Sequence, residues 1–225
     1  MSALGAPRLH LRTTTSTNDR ARELALAGAP HGTLVTAAEQ SAGRGRQGRT
    51  WSAPRGRALL MSLVLRAPHP LLPLAGAVAV AEVSGEEARI KWPNDVLVGG
   101  RKVAGILAEG RPQEGWAVIG IGLNVAVRIE DLPDKLRDTA GTLGLESRDV
   151  ERVLGALLAA LEHVLALDAA ALLEAWRARD ALIGREITWA GGTGRAAGID
   201  GAGRLVVELA GGGRTELDAG EVHLG

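Results

Sequence analysis

The spacing of apolar and polar positions changes several times along this chain, and each change predicts a structural element. Weak alternation over Pro7–Thr13 predicts a strand, and the polar run Ser16-Thr17-Asn18-Asp19 predicts the N-cap of a helix over Arg20–Ala27. A uniformly apolar stretch, Leu71–Glu82, predicts a buried helix. Two apolar segments between these helices predict further strands: Thr33–Ala38 and Ala58–Leu65.

The middle of the chain has the pattern of an antiparallel meander followed by two helices. Turns at Pro93-Asn94, Gly99-Gly100 and Pro112–Gly115 separate four predicted strands: Ala88–Lys91, Asp95–Val98, Lys102–Ala108 and Trp116–Val127. Helical periodicity then covers Ser147–Leu165 and Asp168–Arg179.

After Gly184 the pattern changes to short β segments broken by glycine: Glu186–Trp189, Arg195–Asp200, Leu205–Leu209 and Thr215–Asp218. We therefore predict two domains, a larger one over residues 1–182 and a small β-barrel over residues 183–225. A barrel of about 40 residues has little core of its own, so we expect it to dock on its neighbour.

Composition narrows the class of protein. Apolar residues make up 46% of the 225-residue chain, enough for a core, and the absence of Cys excludes disulfides and thiolate chemistry. The longest apolar run, Leu71–Ala81, is shorter than the roughly 20 residues of a membrane span, and the start lacks a secretory h-region. We expect a soluble cytoplasmic protein. Balanced charge, 26 Lys+Arg against 26 Asp+Glu, argues against a dedicated nucleic-acid binder.

A glycine-rich loop at Gly43–Arg49 departs from this balance. From Gln40 to Ala81 there is no Asp or Glu, but there are six arginines: Arg44, Arg46, Arg49, Arg55, Arg57 and Arg66. The loop spells G-x-G-x-x-G, yet Pro54 interrupts any following helix, so it is not a dinucleotide fingerprint. A solvated loop is the alternative. The density of arginine beside glycine, followed by Trp51, favours a loop that closes over a phosphate-bearing ligand.

Two strands of the meander carry further candidate chemistry. By period two, Gly120, Gly122 and Asn124 share one face of their strand, and the missing side chains leave room for a flat ligand; a β-bulge is the alternative. The same alternation places Lys102 with Ala104 and Ile106, opposite Gly105. Ser16-Thr17-Asn18 reads as a helix cap whose hydroxyls and N–H groups could also bind a neutral polar ligand. The five histidines lack metal-ligand spacing, so we predict no metal site.

In this order, these segments resemble the biotin–protein ligase (biotin–[acetyl-CoA-carboxylase] ligase) family. The resemblance covers essentially the whole chain and is carried by the following elements: Ser16-Thr17-Asn18, Gln40, Gly43–Arg49 with Trp51, Lys91–Asp95, Arg101–Gly105, Glu109, Gly120–Asn124, the G-x-D-x-x-G pattern of Gly198, Asp200 and Gly203, and Gly220-Glu221-Val222. The chain is similar to a short form of the family that lacks the N-terminal DNA-binding domain, so we expect no repressor function and no DNA partner.

The resemblance implies an α+β fold: a mixed β-sheet with helices packed on one side, followed by a small SH3-like barrel. It implies an ATP-dependent ligase that uses biotin and Mg-ATP (with Mg²⁺ as the metal) to form biotinyl-5′-AMP. Biotin would then pass to a lysine of a biotin carboxyl carrier protein. Family members are monomers or homodimers, and no membrane is involved.

Site roles follow from the matching motifs. The resemblance implies that biotin is bound by Ser16, Thr17, Asn18, Gln40, Arg44, Gly45, Arg46 and Lys102. It implies nucleotide contacts from Arg46, Arg49, Trp51, Asn94 and Asn124, and catalytic roles for Lys102, Arg44 and Arg46. Gln47 stands where relatives can carry a further arginine.

Three alternatives stay open at the sequence level. A lipoate–protein ligase or octanoyltransferase shares the catalytic fold, but its R-R-x-x-G-G-G signature is absent. A nucleic-acid-binding protein with an arginine–glycine loop is disfavoured by the neutral charge. A remnant that binds biotin without adenylating it is disfavoured by Lys102 and the three loop arginines.

Overall fold

The computed structural model describes residues 4–218 and 220–224. Its main body is a seven-stranded mixed sheet with the spatial order β1-β2-β3-β7-β6-β5-β4. β1 pairs parallel to β2, and every other neighbouring pair is antiparallel. The strands are β1 (Arg8–Leu11), β2 (Leu34–Ala37), β3 (Ala58–Arg66), β4 (Arg89–Lys91), β5 (Asp95–Val98), β6 (Arg101–Arg111) and β7 (Trp116–Asn124). The mixed sheet predicted from the sequence is confirmed.

In the part of the chain that the structure describes, five α-helices accompany the sheet: α1 (Thr17–Leu26), α2 (Leu72–Val83), α3 (Asp134–Arg137), α4 (Val150–Leu165) and α5 (Ala169–Arg177). α2, α4 and α5 pack on one face, where alternate residues of β3 such as Met61 and Leu63 join the main core. α1 packs on the opposite face against Val64 and Val118. Strand alternation therefore divides β3 and β7 between two layers, and the α1 layer leaves part of the sheet uncovered.

α2 is apolar on all sides because it lies between the sheet and two other helices. It approaches the sheet closely at Gly76, where an added Cβ would lie 2.5 Å from Ile119 Cδ1 and 3.1 Å from Ile106 Cγ2. The sequence prediction of a buried helix at Leu71–Glu82 is confirmed.

The C-terminal segment forms a five-stranded antiparallel sheet, in the order β11-β10-β9-β8-β12, consistent with an SH3-like barrel. Its strands are β8 (Glu186–Trp189), β9 (Gly192–Ile199), β10 (Leu205–Glu208), β11 (Arg214–Leu217) and β12 (His223–Leu224). The sequence pattern indicated the first four of these strands but not β12. The boundary between residues 182 and 183 stays a prediction.

The barrel docks through its Asp200–Arg204 turn. Trp92 is 2% exposed, and its Nε1 donates a hydrogen bond of 3.0 Å to the Gly203 carbonyl. Gly203 has a φ of +79°, and a Cβ there would lie 2.6 Å from Leu74 Cδ1. Buried barrel residues such as Ile199 and Leu205 belong to the same apolar cluster as α2. The barrel thus shares its core with the larger domain, as its size led us to expect.

A register shift corrects one sequence prediction. Val96 pairs with Ala104 but Leu97 pairs with Lys102, so β6 carries an extra residue, Val103, at this point. The bulge reverses the alternation, and Lys102 lies on the face of Gly105, whose added Cβ would be 3.4 Å from Lys102 Nζ. The prediction that Lys102 shares a face with Ala104 was therefore wrong.

Helices that could cross a membrane are not found among the described residues, because none is both long and apolar enough.

The junction between the domains buries one carboxylate. Asp180 Oδ1 accepts a hydrogen bond of 2.8 Å from the Leu182 N–H, while Oδ2 is buried without a partner among the residues described. Burial raises the pKa of Asp180, and bonds from the Leu182 and Ile183 backbone offset only part of that effect. The charged form is therefore less favourable in the folded chain than in the unfolded chain.

We expect Asp180→Asn to remove a pH-dependent loss of stability. Because the folded-state pKa is raised, protonated Asp180 carries no penalty below the unfolded pKa of about 3.9. In the wild type, the free energy of unfolding falls as the pH rises through the folded-state pKa of Asp180, because the buried carboxylate must then ionise. Urea unfolding between pH 4 and pH 7 should show the variant gaining stability over the wild type as pH rises. Asp134→Asn, at an exposed carboxylate, is the control, and a difference that does not change with pH contradicts the prediction.

Candidate active site

A cavity of about 560 Å³ lies on the α1 face of the sheet. Its floor is the central pair β6 and β7, and the start of α1 forms one wall. The arginine loop, the turn between β4 and β5, the 132–140 segment and the end of the barrel surround the rest. All the site residues predicted from the sequence line this cavity: Ser16, Thr17, Asn18, Gln40, Arg44, Gly45, Arg46, Arg49, Trp51, Asn94, Lys102 and Asn124.

One end of the cavity is neutral and rich in hydrogen-bonding groups. Ser16 is the N-cap of α1, and its Oγ accepts from Asn18 N at 3.2 Å, which confirms the predicted cap. Gln40 Oε1 accepts from Thr17 N at 2.6 Å and from Thr17 Oγ1 at 3.0 Å. The side chains of Ser16, Thr17 and Asn18 are buried and fixed to one another, a rigid arrangement suited to a neutral polar ligand.

Ser62 on β3 completes this end, although no sequence signal singled it out. Its Oγ lies 2.8 Å from Thr17 Oγ1 and 2.7 Å from Asn18 Oδ1, and the residue is fully buried. A serine inside an apolar strand is a weak signal by itself. Its position beside α1 is what makes it part of the polar wall.

β7 has glycines at two positions of the cavity floor, Gly120 and Gly122, so it presents no side chains of its own there. Side chains from other segments of the chain cover both glycines. The Asn18 amide lies directly over Gly120. The Trp51 indole lies over Gly122, where an added Cβ would be 2.5 Å from Cε2, and over Gly105, where it would be 3.2 Å from Cζ3. The close approach predicted from the sequence is present, but an amide and an indole occupy the space assigned there to a flat ligand.

The opposite end of the cavity gathers cations. Lys102 Nζ pairs with Asp95 Oδ1 at 2.6 Å and lies 5.8 Å from the Trp51 ring centroid. Among the described residues, the Arg46 side chain has one long contact, 3.5 Å to Asn94 Oδ1, and Asn94 Nδ2 itself donates to the Ile106 carbonyl at 2.8 Å. Arg49 pairs with Glu221 of the barrel.

Lys91 is a cavity residue to which the sequence analysis gave no role. It is half-buried, and its side chain makes no hydrogen bond or ion pair within the part of the chain that the structure describes. Burial lowers the pKa of Lys91; nearby Asp95 opposes this, and the charges of Lys102 and Arg49 add to it. Burial also lowers the pKa of Arg46, with Asp95 opposing and Arg49 adding to the effect. Two desolvated cations without a carboxylate partner favour an anionic ligand.

Arg44 lies in different surroundings from the other loop arginines. Its guanidinium donates to Asp19 Oδ1 at 2.6 Å and to Glu109 Oε1 at 2.7 Å. The hydrogen bond to Asp19 is the main cause of its raised pKa, and the charges of both carboxylates contribute. Asp19 and Glu109 were not among the predicted site residues: the sequence analysis assigned Asp19 to a helix N-cap and used Glu109 as a matching element of the resemblance without giving it a role.

Asn124 and the 132–141 segment close the cavity beside Trp51. Asn124 is 4% exposed; its Nδ2 donates to the Gly141 carbonyl at 2.9 Å, and its Oδ1 is buried without a partner among the described residues. Lys102 N donates to Thr139 O at 2.8 Å, and Gly141 N donates to Lys102 O at 2.7 Å. Apolar side chains from Leu132, Leu136 and Ala140 also line the cavity. A free amide acceptor beside an indole and apolar side chains suits a planar heterocycle with an amino group.

Comparison with known proteins agrees with this geometry. The profile of the biotin/lipoate A/B protein ligase family matches residues 10–125, and that of the biotin protein ligase C-terminal domain matches residues 182–225. The chain belongs to the biotin/lipoate A/B protein ligase family. The biotin--[acetyl-CoA-carboxylase] ligase of Mycobacterium tuberculosis is a 36% identical relative, and the match covers 94% of this chain and 86% of the relative.

Two further similarities define this family member. The "Bifunctional ligase/repressor BirA" of Bacillus spizizenii is 44% identical over 145 residues, and its Bacillus subtilis counterpart is 45% identical over 141. The match spans less than half the length of these two relatives, 45% and 43%. A solved structure, described as a biotin protein ligase from Aquifex aeolicus in complex with biotin and ATP, superimposes with a TM-score of 0.84 at 27% identity, covering 98% of this chain and 99% of that chain.

We predict that Gly122→Ala displaces Trp51 from the cavity floor. The new Cβ would lie 2.5 Å from Cε2 and 2.7 Å from Nε1 of the indole, too close for both to stay. The near-ultraviolet circular dichroism spectrum should therefore change, and the same substitution in a Trp51→Phe background should leave the spectrum unaltered. Gly105→Ala, whose Cβ would lie 3.2 Å from Cζ3, is the milder control. An unchanged spectrum for Gly122→Ala would contradict the predicted displacement.

Proposed function

We propose that this chain is a biotin–protein ligase that activates biotin with Mg-ATP as biotinyl-5′-AMP and transfers biotin to a lysine of a biotin carboxyl carrier protein. The observation that carries the proposal is a single cavity with two chemically different ends. A neutral hydrogen-bonding wall lies at one end, desolvated cations lie at the other, and an indole-covered glycine floor joins them.

The neutral end fits the ureido group of biotin. Ser16, Thr17, Asn18 and Gln40 offer amide and hydroxyl groups that match a cyclic urea, which has two N–H donors and one carbonyl acceptor. No charge is needed there, and the wall provides none at its centre. Because these side chains are already fixed to one another, little conformational entropy would be lost on binding.

The cationic end fits the first chemical step. A carboxylate oxygen of biotin attacks the α-phosphorus of ATP, the bond from that phosphorus to the bridging oxygen breaks, and pyrophosphate leaves. Both reactants are anions, so they repel each other as they approach. Lys102 and Arg46 would offset this repulsion and stabilise the charge that develops on the α-phosphate. Mg²⁺ would enter as part of the Mg-ATP substrate.

The adenine ring would lie beside Trp51, where Asn124 and the 132–141 segment close the cavity. Asn124 Oδ1, the buried acceptor, would receive the adenine amino group, and Trp51 with the 132–141 segment would cover the ring. Arg49 and Asn94 would border the phosphates. Fixing both substrates in one orientation replaces a bimolecular encounter and lowers the barrier further.

In the second step the amine nitrogen of the acceptor lysine attacks the acyl carbon of the adenylate. The bond from that carbon to the AMP oxygen breaks, AMP leaves, and the nitrogen loses a proton to form the amide. The mixed anhydride is labile in water, so an arginine loop that stays closed between the two steps would protect it.

The decisive experiment is a mass-spectrometric transfer assay. Purified chain, Mg-ATP and a biotin carboxyl carrier domain are incubated with biotin or lipoate in parallel. We expect the carrier to be modified in the incubation with biotin and not in the incubation with lipoate. Lipoyl modification would assign the chain to the sister activity in the same family, and binding of biotin without pyrophosphate release would leave a binding protein.

We expect Lys102→Ala to slow adenylation strongly while the fold is retained. Loss of one cation at the reacting phosphate should lower the rate of biotin-dependent pyrophosphate release by about 10²- to 10³-fold. Lys135→Ala, which removes an exposed lysine of α3 outside the cavity, is the matched control. Circular dichroism should be the same for both variants. A Lys102→Ala enzyme with wild-type turnover would contradict the role assigned to this lysine.

A further inference from the structure

Glu109, near the end of β6, contacts both the polar wall and the arginine loop. Its Oε2 accepts from Asn18 Nδ2 at 2.9 Å, and its Oε1 accepts from Arg44 Nη2 at 2.7 Å. The Glu109 side chain is 21% exposed and Arg44 is 38% exposed, so the bond to Asn18 is partly buried and the ion pair to Arg44 is open to solvent. One carboxylate thus joins a residue of the proposed biotin site to a residue of the loop that covers it.

A second carboxylate holds the same arginine. Asp19, in the first turn of α1, accepts from Arg44 Nη1 at 2.6 Å. Each carboxylate takes a different terminal nitrogen of the guanidinium, so the planar group is fixed from two sides. Asp19 adjoins Asn18 in sequence and Glu109 accepts a hydrogen bond from the Asn18 amide, so both carboxylates that clamp Arg44 are connected to Asn18.

Arg44 stands at the base of the loop. Trp51 N donates to Gly43 O at 2.9 Å and Gly45 N donates to Arg49 O at 2.7 Å, so residues 43–51 form a short hairpin. Arg44 and Thr50 face each other across it. Fixing Arg44 consequently fixes the base of the hairpin that carries Arg46, Arg49 and Trp51 into the cavity.

The clamp is the outer part of a continuous polar chain. From Glu109 it passes through Asn18 to Ser62, and from Ser62 to Thr17 and Gln40. A change at Glu109 is therefore transmitted to the wall as well as to the loop. Both of these parts would enclose bound biotin.

We propose that Glu109, assisted by Asp19, is a positioning residue. Through Arg44 it fastens the arginine loop to the polar wall at Asn18. Arg44 then acts as the fastening group, and Arg46, Lys102 and Lys91 face the phosphates. This inference rests on the proposed ligase function. It gives Glu109 and Asp19 a task in retaining biotin and its adenylate rather than in the chemical step.

Other arginines nearby keep the clamp variants foldable. Arg22 lies 3.8 Å from Asp19, and Arg22 and Arg111 line a small cleft together with Glu109. Arg44→Gln therefore does not leave two carboxylates without a neighbouring cation, and in Glu109→Gln or Asp19→Asn the Arg44 guanidinium keeps the other carboxylate. The variants should unfold at temperatures close to that of the wild type.

The test compares Glu109→Gln and Asp19→Asn with Glu151→Gln. Glu151 on α4 forms a two-bond pair with Arg8 at 2.7 Å for both bonds, and neither residue lines the cavity. In Glu109→Gln we expect the KM for biotin and the dissociation rate of preformed biotinyl-AMP to rise about tenfold, the effect of losing roughly 1.4 kcal/mol. The kcat for adenylation should change less than threefold, roughly 0.65 kcal/mol. Asp19→Asn should show a smaller change, since Asp19 holds only the loop.

A double variant and trypsin cleavage supply independent readouts. Arg44→Gln with Glu109→Gln should lose no more biotin affinity than the more affected single variant, because both changes open the same contact. Trypsin should cut after Arg46 and Arg49 faster in Glu109→Gln than in Glu151→Gln.

The outcomes separate this inference from the proposed function. Adenylate dissociation and loop cleavage in Glu109→Gln equal to those of Glu151→Gln overturn the positioning role. A fall in kcat with unchanged dissociation also overturns it, since Glu109 would then act on the reaction itself. If the wild type forms no adenylate, the proposed function fails, and the fastening of the loop is then decided by the cleavage rates alone.

Discussion

The site depends on the absence of two side chains in the central strand of the sheet. β7 lies between β3 and β6, and its residues would normally present side chains to both layers. At Gly120 and Gly122 the layer facing α1 has none, and the Asn18 amide and the Trp51 indole rest on the backbone there. Every other part of the cavity is arranged around these two groups. Glycine weakens a strand interior, so the cost in strand stability is offset by the functional groups brought to the sheet.

Electrostatics divides the cavity cations into two groups with different surroundings. Arg44 and Arg49 form ion pairs with carboxylates of α1, β6 and the barrel, and these pairs connect the arginine loop to those elements. Arg46 and Lys91 are desolvated and form no ion pair with a carboxylate among the described residues. Lys102 lies beside them and is paired with Asp95. Burial of these cations costs free energy, which an anionic ligand would offset. Burial of a cation is therefore more informative here than the number of arginines in the loop.

Much of the fold and part of the site follow from sequence patterns, because these report local constraints. Period two identified the strands and the open floor at Gly120 and Gly122, and the apolar run identified α2. The face of Lys102 was missed because a bulge at Val103 changes the register, which alternation does not reveal. The occupants of the floor were missed because they come from distant segments. The sequence analysis assigned no element to residues 132–141; they are held by backbone bonds to Lys102 and by the Asn124 amide, which only the folded chain shows.

The barrel forms part of the cavity lining as well as a neighbouring domain. Residues from Gly220 to Leu224 line the cavity, Glu221 reaches the loop, and the Trp92 indole joins the Asp200–Arg204 turn to the segment that carries Asn94 and Asp95. A ligand that contacts these walls interacts with both domains at once. By thermodynamic linkage, such a ligand must stabilise the docked arrangement by the same free energy with which docking improves its binding. Occupancy of the cavity and cohesion of the two domains are thus one coupled equilibrium.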